Sequence, residues 1–305
     1  MKRIMLSDKE FSGKTVVALG KFDGIHTGHA RLLECAAKYA ADEGALSLVY
    51  VMEREGGERL TSADEKTDII RSFGIDALCI ELLTQEFMNM SPEEFVTGII
   101  RDSLHACHVV VGYNFRFGKG RSGDAVLLQK LCTGHKISVT VIDCVYATEN
   151  GERVAVSSSE IRRLASLGRM EDIVPLLGRN YSVSGIVKPG KRLGRTIDFP
   201  TANIYKDARS FPLRHGVYIT RVCFGGGKYP AITNVGINPT VEQDDGIVKI
   251  ESHIPGVDVD LYGRELTVEF VEYIREERRF SSIDELKNQL TRDKEYLKRQ
   301  AGVVE

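Results

Sequence analysis

Two short strings hold residues whose types and spacing suit phosphate chemistry. The first is GKFDGIHTGHARLL, residues 20–33. His26 and His29 stand three apart, so on a helix they share one face at its N-terminal end. First-turn N–H groups and the helix dipole already favour an anion there. Two imidazoles add donors that can follow negative charge as it develops on a transferring phosphate. Gly28 leaves no side chain between them, so a phosphate can approach the backbone. Two isolated histidines could equally cap or pack locally; a glycine-flanked turn from strand to helix favours the phosphate reading.

The second string is GKRLGRTIDFPTANI, residues 190–204. Gly190 and Gly194, with Lys191, Arg192 and Arg195, make a flexible basic loop able to lie along phosphates. It is not a Walker loop, because G-x-x-x-x-G-K-[ST] occurs nowhere in the chain. Thr201 and Asn203, two apart at the start of a strand, point to one side. Their hydroxyl and amide oxygens are hard neutral donors suited to Mg²⁺ shared with ATP phosphates, although a lone T-x-N is otherwise an ordinary turn. A third stretch, VSSSEIRRL (residues 156–164), sets Ser158 and Ser159 at a helix start with Arg162 one turn in. That is an anion cradle or simply a helix cap.

These residues must be held by the elements around them. TVVALG is a buried-strand run ending at Gly20, and Leu32, Leu33, Ala36, Ala37 and Ala40 form one helical face that stops at Gly44. ALSLVYVM follows as a strand, so the unit is βαβ and the sheet parallel. The alternation continues through DEKTDIIRSF, DALCIEL, SPEEFVTGIIRDSL with Ser91 as N-cap and Pro92 at N1, HVVVGYN, a helix from about Asp124, and ISVTVIDCVY. An N-terminal doubly wound parallel-sheet α/β domain is expected. From about Gly178, YSVSGIV, TANIY, GVYITRV, KYPAITNV, VKIESHI and RELTVEFVEYI are short runs between Gly/Pro turns, the pattern of an antiparallel barrel or sandwich. One charged helix, IDELKNQLTRDKEYLKRQ, closes the chain. The expected domains are 1–178 and 179–305.

Bulk properties narrow the partners. With 41 basic against 43 acidic side chains, nothing draws the chain toward nucleic acid or an anionic membrane. Six scattered cysteines without a C-x-x-C pair suit neither a zinc site nor a disulfide framework, and free thiols fit a reducing cytosol. MKRIMLSDKE is too polar for a secretory leader and no apolar run approaches a membrane span. The expectation is a soluble cytoplasmic protein, its oligomeric state left open.

H-x-G-H at this position resembles the nucleotidyltransferase superfamily, which attacks the α-phosphorus of ATP and expels pyrophosphate. The longer G-x-F-D-G-x-H-x-G-H (Gly20, Phe22, Asp23, Gly24, His26, Gly28, His29) resembles the FMN adenylyltransferase module of bacterial bifunctional riboflavin kinase/FAD synthetases. RLTSADEKTDIIRSFGID, FMNMSPEEFV, VVGYNFRFGKGRSGD and VSSSEIRRL are similar to further segments of that family, in order. The resemblance implies a flavin-side role for Asn114 and an ATP-phosphate role for Ser158, Ser159 and Arg162. Phe115 and Phe117 are placed either to stack a flavin or to pack the core. The PTAN string resembles the riboflavin kinase domain, with NVGINPTV, ESHIPGVDVDLYG and YIREERRFSSIDELKNQL matching its later blocks. This implies Mg²⁺ ligands in Thr201 and Asn203, a phosphate loop including Gly190, Lys191, Gly194 and Arg195, and a general base in Glu251.

The family implies riboflavin and ATP giving FMN, then FMN and ATP giving FAD and pyrophosphate, with ATP, Mg²⁺ and flavins as the small molecules bound. This chain departs from the family pattern where F-x-P-H-P is replaced by Met52, Glu53, Arg54, Glu55 and Gly56, where Lys21 replaces Asn, where Ser159 replaces Thr, where Asp198 replaces Gly, and in PGVDVD at 255–260. Two other readings fit the same residues: an enzyme with one live half, the adenylyltransferase, and a catalytically silent flavin-binding regulatory protein.

Overall fold

The computed structural model describes residues 1–4, 13–54, 56, 59–149, 151–190, 199–207, 213–237, 247–257 and 259–300. The chain makes two compact units, Met1–Gly57 with Thr61–Ser158, and Glu58–Leu60 with Ser159–Glu305. They part at 158/159, earlier in the chain than the domain boundary expected at 178/179.

The first unit runs β1 (Lys2–Ile4), β2 (Thr15–Gly20), α1 (Thr27–Glu43), β3 (Leu46–Glu53), α2 (Ala63–Ser72), β4 (Ala77–Leu82), α3 (Gln85–Asn89), α4 (Pro92–Glu94), a π-helix (Phe95–Ser103), β5 (Ala106–Gly112), a minor pair β6 (Arg116–Phe117) and β7 (Gly123–Asp124), α5 (Ala125–Gly134), β8 (Ser138–Ile142) and a hairpin of β9 (Tyr146–Glu149) and β10 (Glu152–Ala155). Six strands form one parallel sheet in the order β1-β4-β3-β2-β5-β8. The chain therefore winds outward from β2 through β3 and returns to its other side with β5. Ligands of open parallel sheets bind beyond the carboxyl ends of the strands at such a reversal.

Both sheet faces are covered, which is why the strands read as continuous apolar runs. Val17, Leu19, Leu48, Tyr50, Val109 and Val111 join Phe95, Ile100 and Leu128 in one layer. The alternate residues Val16, Ala18, Val49, Val51 and Val110 meet Leu33, Ala36 and Ile70 in the other. Local signals stop and start the helices: α1 ends on Gly44 at φ 61°, a left-handed position natural to glycine. The Ser62–Glu65 capping box starts α2. Ser91 caps α4 with Pro92 at N1, as its sequence predicts, but the helix then widens into the π-helix, where Leu104 N–H donates to Ile99 O at 2.9 Å and Ser103 Oγ donates to Gly98 O at 2.7 Å.

The second unit carries α6 (Ser158–Leu167, its first residue counted with the first unit), α7 (Met170–Leu177), β11 (Tyr181–Ile186), β12 (Thr201–Asp207), β13 (Gly216–Phe224), β14 (Gly227–Ile237), β15 (Ile247–His253), β16 (Glu265–Arg275) and α8 (Ile283–Gln300). The six strands are antiparallel in the order β11-β16-β13-β14-β15-β12. The two outer strands come together. Lys188 N–H donates to Asn203 O at 2.9 Å, and a Cβ built on Gly185 would lie 2.4 Å from Ile204 Cγ2. Only glycine allows that approach, so the sheet closes almost completely into a barrel rather than opening into a sandwich. Arg275 grips the buried Asp293 at 2.6 Å and fastens α8 to the barrel.

Among the described residues no helix is long and apolar enough to cross a membrane. None of the six cysteines forms a disulfide.

Candidate active sites

The first candidate site lies at the carboxyl end of β2, beside the sheet reversal. Its turn is strained. Phe22 and Ile25 take left-handed backbone at φ 47° and 42°, outliers for bulky and β-branched residues that cost roughly 1–3 kcal/mol each. Both are fully buried, and that packing holds them there. The turn is tight enough to make His26 the N-cap of α1, its Nδ1 accepting from His29 N–H at 3.2 Å. In the neutral ring the hydrogen of His26 is then on Nε2.

His29 stacks on His26, with ring centroids 3.7 Å apart and planes 13° from parallel, and Phe22 lies 5.0 Å from His29. His29 Nδ1 and Thr27 Oγ1 are buried without a hydrogen-bond partner among the described residues. Burial, then the neighbouring His26 and Lys66, holds the His29 imidazole well below its ordinary value. The expected face of paired imidazoles at a helix tip is present. Gly28 makes room for it, since a Cβ there would lie 3.1 Å from His26 Nδ1.

Other expected residues converge on this turn. Gly20 ends β2, and Gly24, at φ 76°, donates its N–H to Thr61 Oγ1 at 3.3 Å. Ser158 Oγ donates to the Asp23 carbonyl at 2.8 Å, which draws the third motif onto the first. Asn114 is exposed on the loop after β5, the strand across the reversal from β3. Ser159 is exposed and Arg162 half-buried on α6, in the second unit. Phe115 and Phe117 pack in the core, 5.7 Å from each other, with Phe117 5.3 Å from Phe95; of their two expected roles the structure gives them packing. Glu55 lies outside the described residues.

Sequence reasoning missed Lys66. It is buried in the first unit, pairs with Glu53 at the end of β3 and donates to the Lys21 carbonyl at 3.3 Å. Its signal was available: Lys66 stands four before Ile70 on the apolar face of α2.

The second candidate site is made by register. Asn203 stands opposite Glu251 across the β12–β15 pair, and Thr201 is the diagonal neighbour. Thr201 Oγ1 donates to Glu251 Oε1 at 2.6 Å, and Lys249 Nζ donates to Oε2 at 2.7 Å. Asn203 is 3% exposed and its Oδ1 is buried without a partner among the described residues, while a Cβ on Gly190 would lie 2.6 Å from its Nδ2. Thr201 and Asn203 thus share a face, as their spacing predicts. An unpaired amide oxygen, a hydroxyl oxygen and a carboxylate are hard donors that fit Mg²⁺.

His253, opposite Thr201, bonds through Nδ1 to Pro200 O at 2.9 Å, and burial lowers its pKa. It and Lys249 were also missed; both flank Glu251 at two-residue spacing on its strand. Lys191, Gly194, Arg195 and Asp198 lie outside the described residues. Val187, Pro200, Ser252 and Tyr262 line a cleft beside Thr201.

Comparison with known proteins finds two families along the chain. A family model for FAD synthetase matches residues 8–160, and one for riboflavin kinase matches residues 177–301. The bifunctional riboflavin kinase/FMN adenylyltransferase of Escherichia coli K12 is 35% identical over 291 residues, covering 91% of this chain and 90% of that protein. The protein of that name from Buchnera aphidicola of Acyrthosiphon pisum is 32% identical, covering 93% of each chain. Among solved structures, a protein from Streptococcus pneumoniae described as a macrolide-efflux protein superposes with a TM-score of 0.84 at 28% identity, covering 97% of this chain and 98% of that one.

Proposed function

The chain belongs to the family of bifunctional riboflavin kinase/FMN adenylyltransferases, and we propose that its two reactions run at the two sites described above. The protein is an enzyme of flavin-cofactor synthesis. It phosphorylates riboflavin to FMN with ATP, and adenylylates FMN to FAD with release of pyrophosphate.

In our reading the kinase reaction belongs to the barrel. Glu251 takes the proton of the ribityl 5′-hydroxyl, and Thr201 and Lys249 hold its two oxygens in place. Thr201 Oγ1 and Asn203 Oδ1 would hold Mg²⁺, which neutralises charge on the ATP phosphates. Gly190, Lys191, Gly194 and Arg195 would lie along those phosphates. The observation that supports this reading best is the convergence of Thr201 and Asn203 on Glu251, about fifty residues away in sequence.

Adenylyl transfer belongs to the helix tip. Gly20, Phe22, Asp23, Gly24 and Gly28 shape the turn, and His26 and His29 donate to the ATP phosphates as pyrophosphate leaves. Ser158, Ser159 and Arg162 add donors, and Asn114 contacts the flavin. The FMN phosphate is itself the nucleophile, so positioning and charge neutralisation supply the rate without a covalent enzyme intermediate. On this reading the functional boundary falls at 178/179, because Ser158, Ser159 and Arg162 serve the first reaction. Free thiols support a cytoplasmic location.

Chromatography of products from riboflavin, ATP and Mg²⁺ tests the assignment. We expect His29→Ala to stop FAD formation while FMN accumulates, and Asn203→Ala to stop FMN formation while supplied FMN still becomes FAD. Equal damage to both steps by either change would overturn the two-site reading. Neither product from the native chain would favour a silent flavin-binding protein.

A further inference from the structure

A buried charged group, Lys66, adjoins the turn of the adenylyltransferase site. Lys66 is 2% exposed. Its ammonium makes an ion pair with Glu53, at the carboxyl end of β3, and donates to the carbonyl of Lys21, the first residue after β2. Lys66 therefore ties the start of the strained turn to the neighbouring strand, from a helix, α2, that the capping box fixes independently.

A buried ammonium must be paired to be tolerated, and a fixed pair holds geometry. The turn needs that holding. Phe22 and Ile25 sit at φ 47° and 42°, so a relaxed turn would move the His26 N-cap and with it the stack on His29. Lys66 also acts on the chemistry through space. Lys66, after His26, holds the His29 imidazole toward its neutral form, and the Phe22 ring lies 5.0 Å from it.

We propose that Lys66, paired with Glu53, is a positioning residue for adenylyl transfer: it anchors the Lys21 carbonyl and so sets the placement of His26 and His29 against the ATP phosphates. This rests on the adenylyltransferase reading of the first site. Glu53 lies in the stretch 52–56 that stands where the resemblance expects F-x-P-H-P, and Lys66 lies in RLTSADEKTDIIRSFGID, so the pair joins two segments that are apart in the sequence.

The test uses the full chain and measures FAD formation from FMN and FMN formation from riboflavin in the same preparation. Glu53→Gln/Lys66→Met removes both charges of the pair together; Lys66→Arg keeps the charge. For the double variant we expect kcat for FAD formation to fall on the order of 100-fold, the scale of a misplaced catalytic group, with KM for FMN and the rate of FMN formation unchanged. The limb along which its kcat/KM for ATP falls as pH rises should also move to higher pH, since losing the Lys66 charge lets His29 take a proton more readily. Lys66→Arg should recover part of the rate. A native rate with an unmoved pH profile would overturn the inference, and so would loss of both activities, which would assign the pair to folding alone. If the native chain itself makes no FAD, the underlying site reading has failed instead.

Discussion

On the proposed assignment the helix tip and the barrel handle the same molecule, ATP, with opposite construction. At the helix tip the reactive groups come from one contiguous turn, and the backbone does much of the work: an N-cap, a dipole, strained φ angles and two rings stacked 3.7 Å apart. In the barrel the backbone is ordinary extended strand, and reactivity arises because β12 and β15 pair in one register. A turn can be built into a short string, whereas a register must be agreed between strands. The first site should therefore be sensitive to local geometry, and the second to single side chains.

The largest expected effect is on the barrel. Glu251→Gln keeps the shape but removes the base, so FMN formation should fall roughly a thousandfold, within the range of general-base contributions. FAD formation from supplied FMN should stay at the native rate. Parallel steady-state assays check both. If Glu251→Gln loses less than about tenfold, the carboxylate only anchors Thr201 and the contrast between the sites collapses.

The next pair of variants compares close approaches of similar kind. Each site uses a glycine to admit a catalytic side chain. A Cβ on Gly190 would meet Asn203 Nδ2 at 2.6 Å, a distance real structures avoid, while one on Gly28 would meet His26 Nδ1 at 3.1 Å, which a small ring shift can relieve. Gly190→Ala should cost FMN formation about 100-fold and Gly28→Ala should cost FAD formation about tenfold, scaled from the penalty for misplaced groups. Reversal of that order would mean that the strained turn, not the strand, is the more rigid host.

The same contrast explains what could be read from sequence. The strand–helix alternation, the caps at Ser91 and Gly44 and the six barrel strands are local patterns, and they appear where the residues predict them. His26 and His29 were legible because helical spacing fixes their shared face. The partnership of Thr201 and Lys249 with Glu251 was not, since pairing of β12 with β15 depends on the whole barrel. Lys66 was passed over because a helical lysine is ordinarily solvated, and only the fold brings Glu53 and the Lys21 carbonyl to it. The π-helix was hidden for a related reason: Phe95, Val96, Ile99 and Ile100 lie on one face whether the turn is regular or wide. The positions of Phe115 and Phe117, one and three residues after the exposed Asn114, likewise gave no sign of which way the rings turn, and core contacts decided it.

The smallest effect concerns a proton, and it separates the sites by kind. His29 is neutral at pH 7 in the free chain, because burial first, then the charges of His26 and Lys66, hold its pKa well below 6.5. An ATP triphosphate at the helix tip favours the imidazolium and raises that value. Between the free and bound values the complex holds more protons than the free protein, so binding takes up a fraction of a proton. Affinity must then weaken as pH rises through the bound value and level off above it, by at most tenfold per pH unit for one proton. In the barrel His253 stands opposite Thr201, but its Nδ1 is engaged by the Pro200 carbonyl, so the barrel should show the smaller uptake. Calorimetry of ATP binding to Asn203→Ala, which leaves the helix tip as the reporting site, in buffers of different ionisation enthalpy should give buffer-dependent heats that vanish in Asn203→Ala/His29→Asn. Heats independent of buffer between pH 6 and 7 would mean that His29 binds phosphate as a neutral donor throughout, and that the two sites differ in architecture but not in their handling of charge.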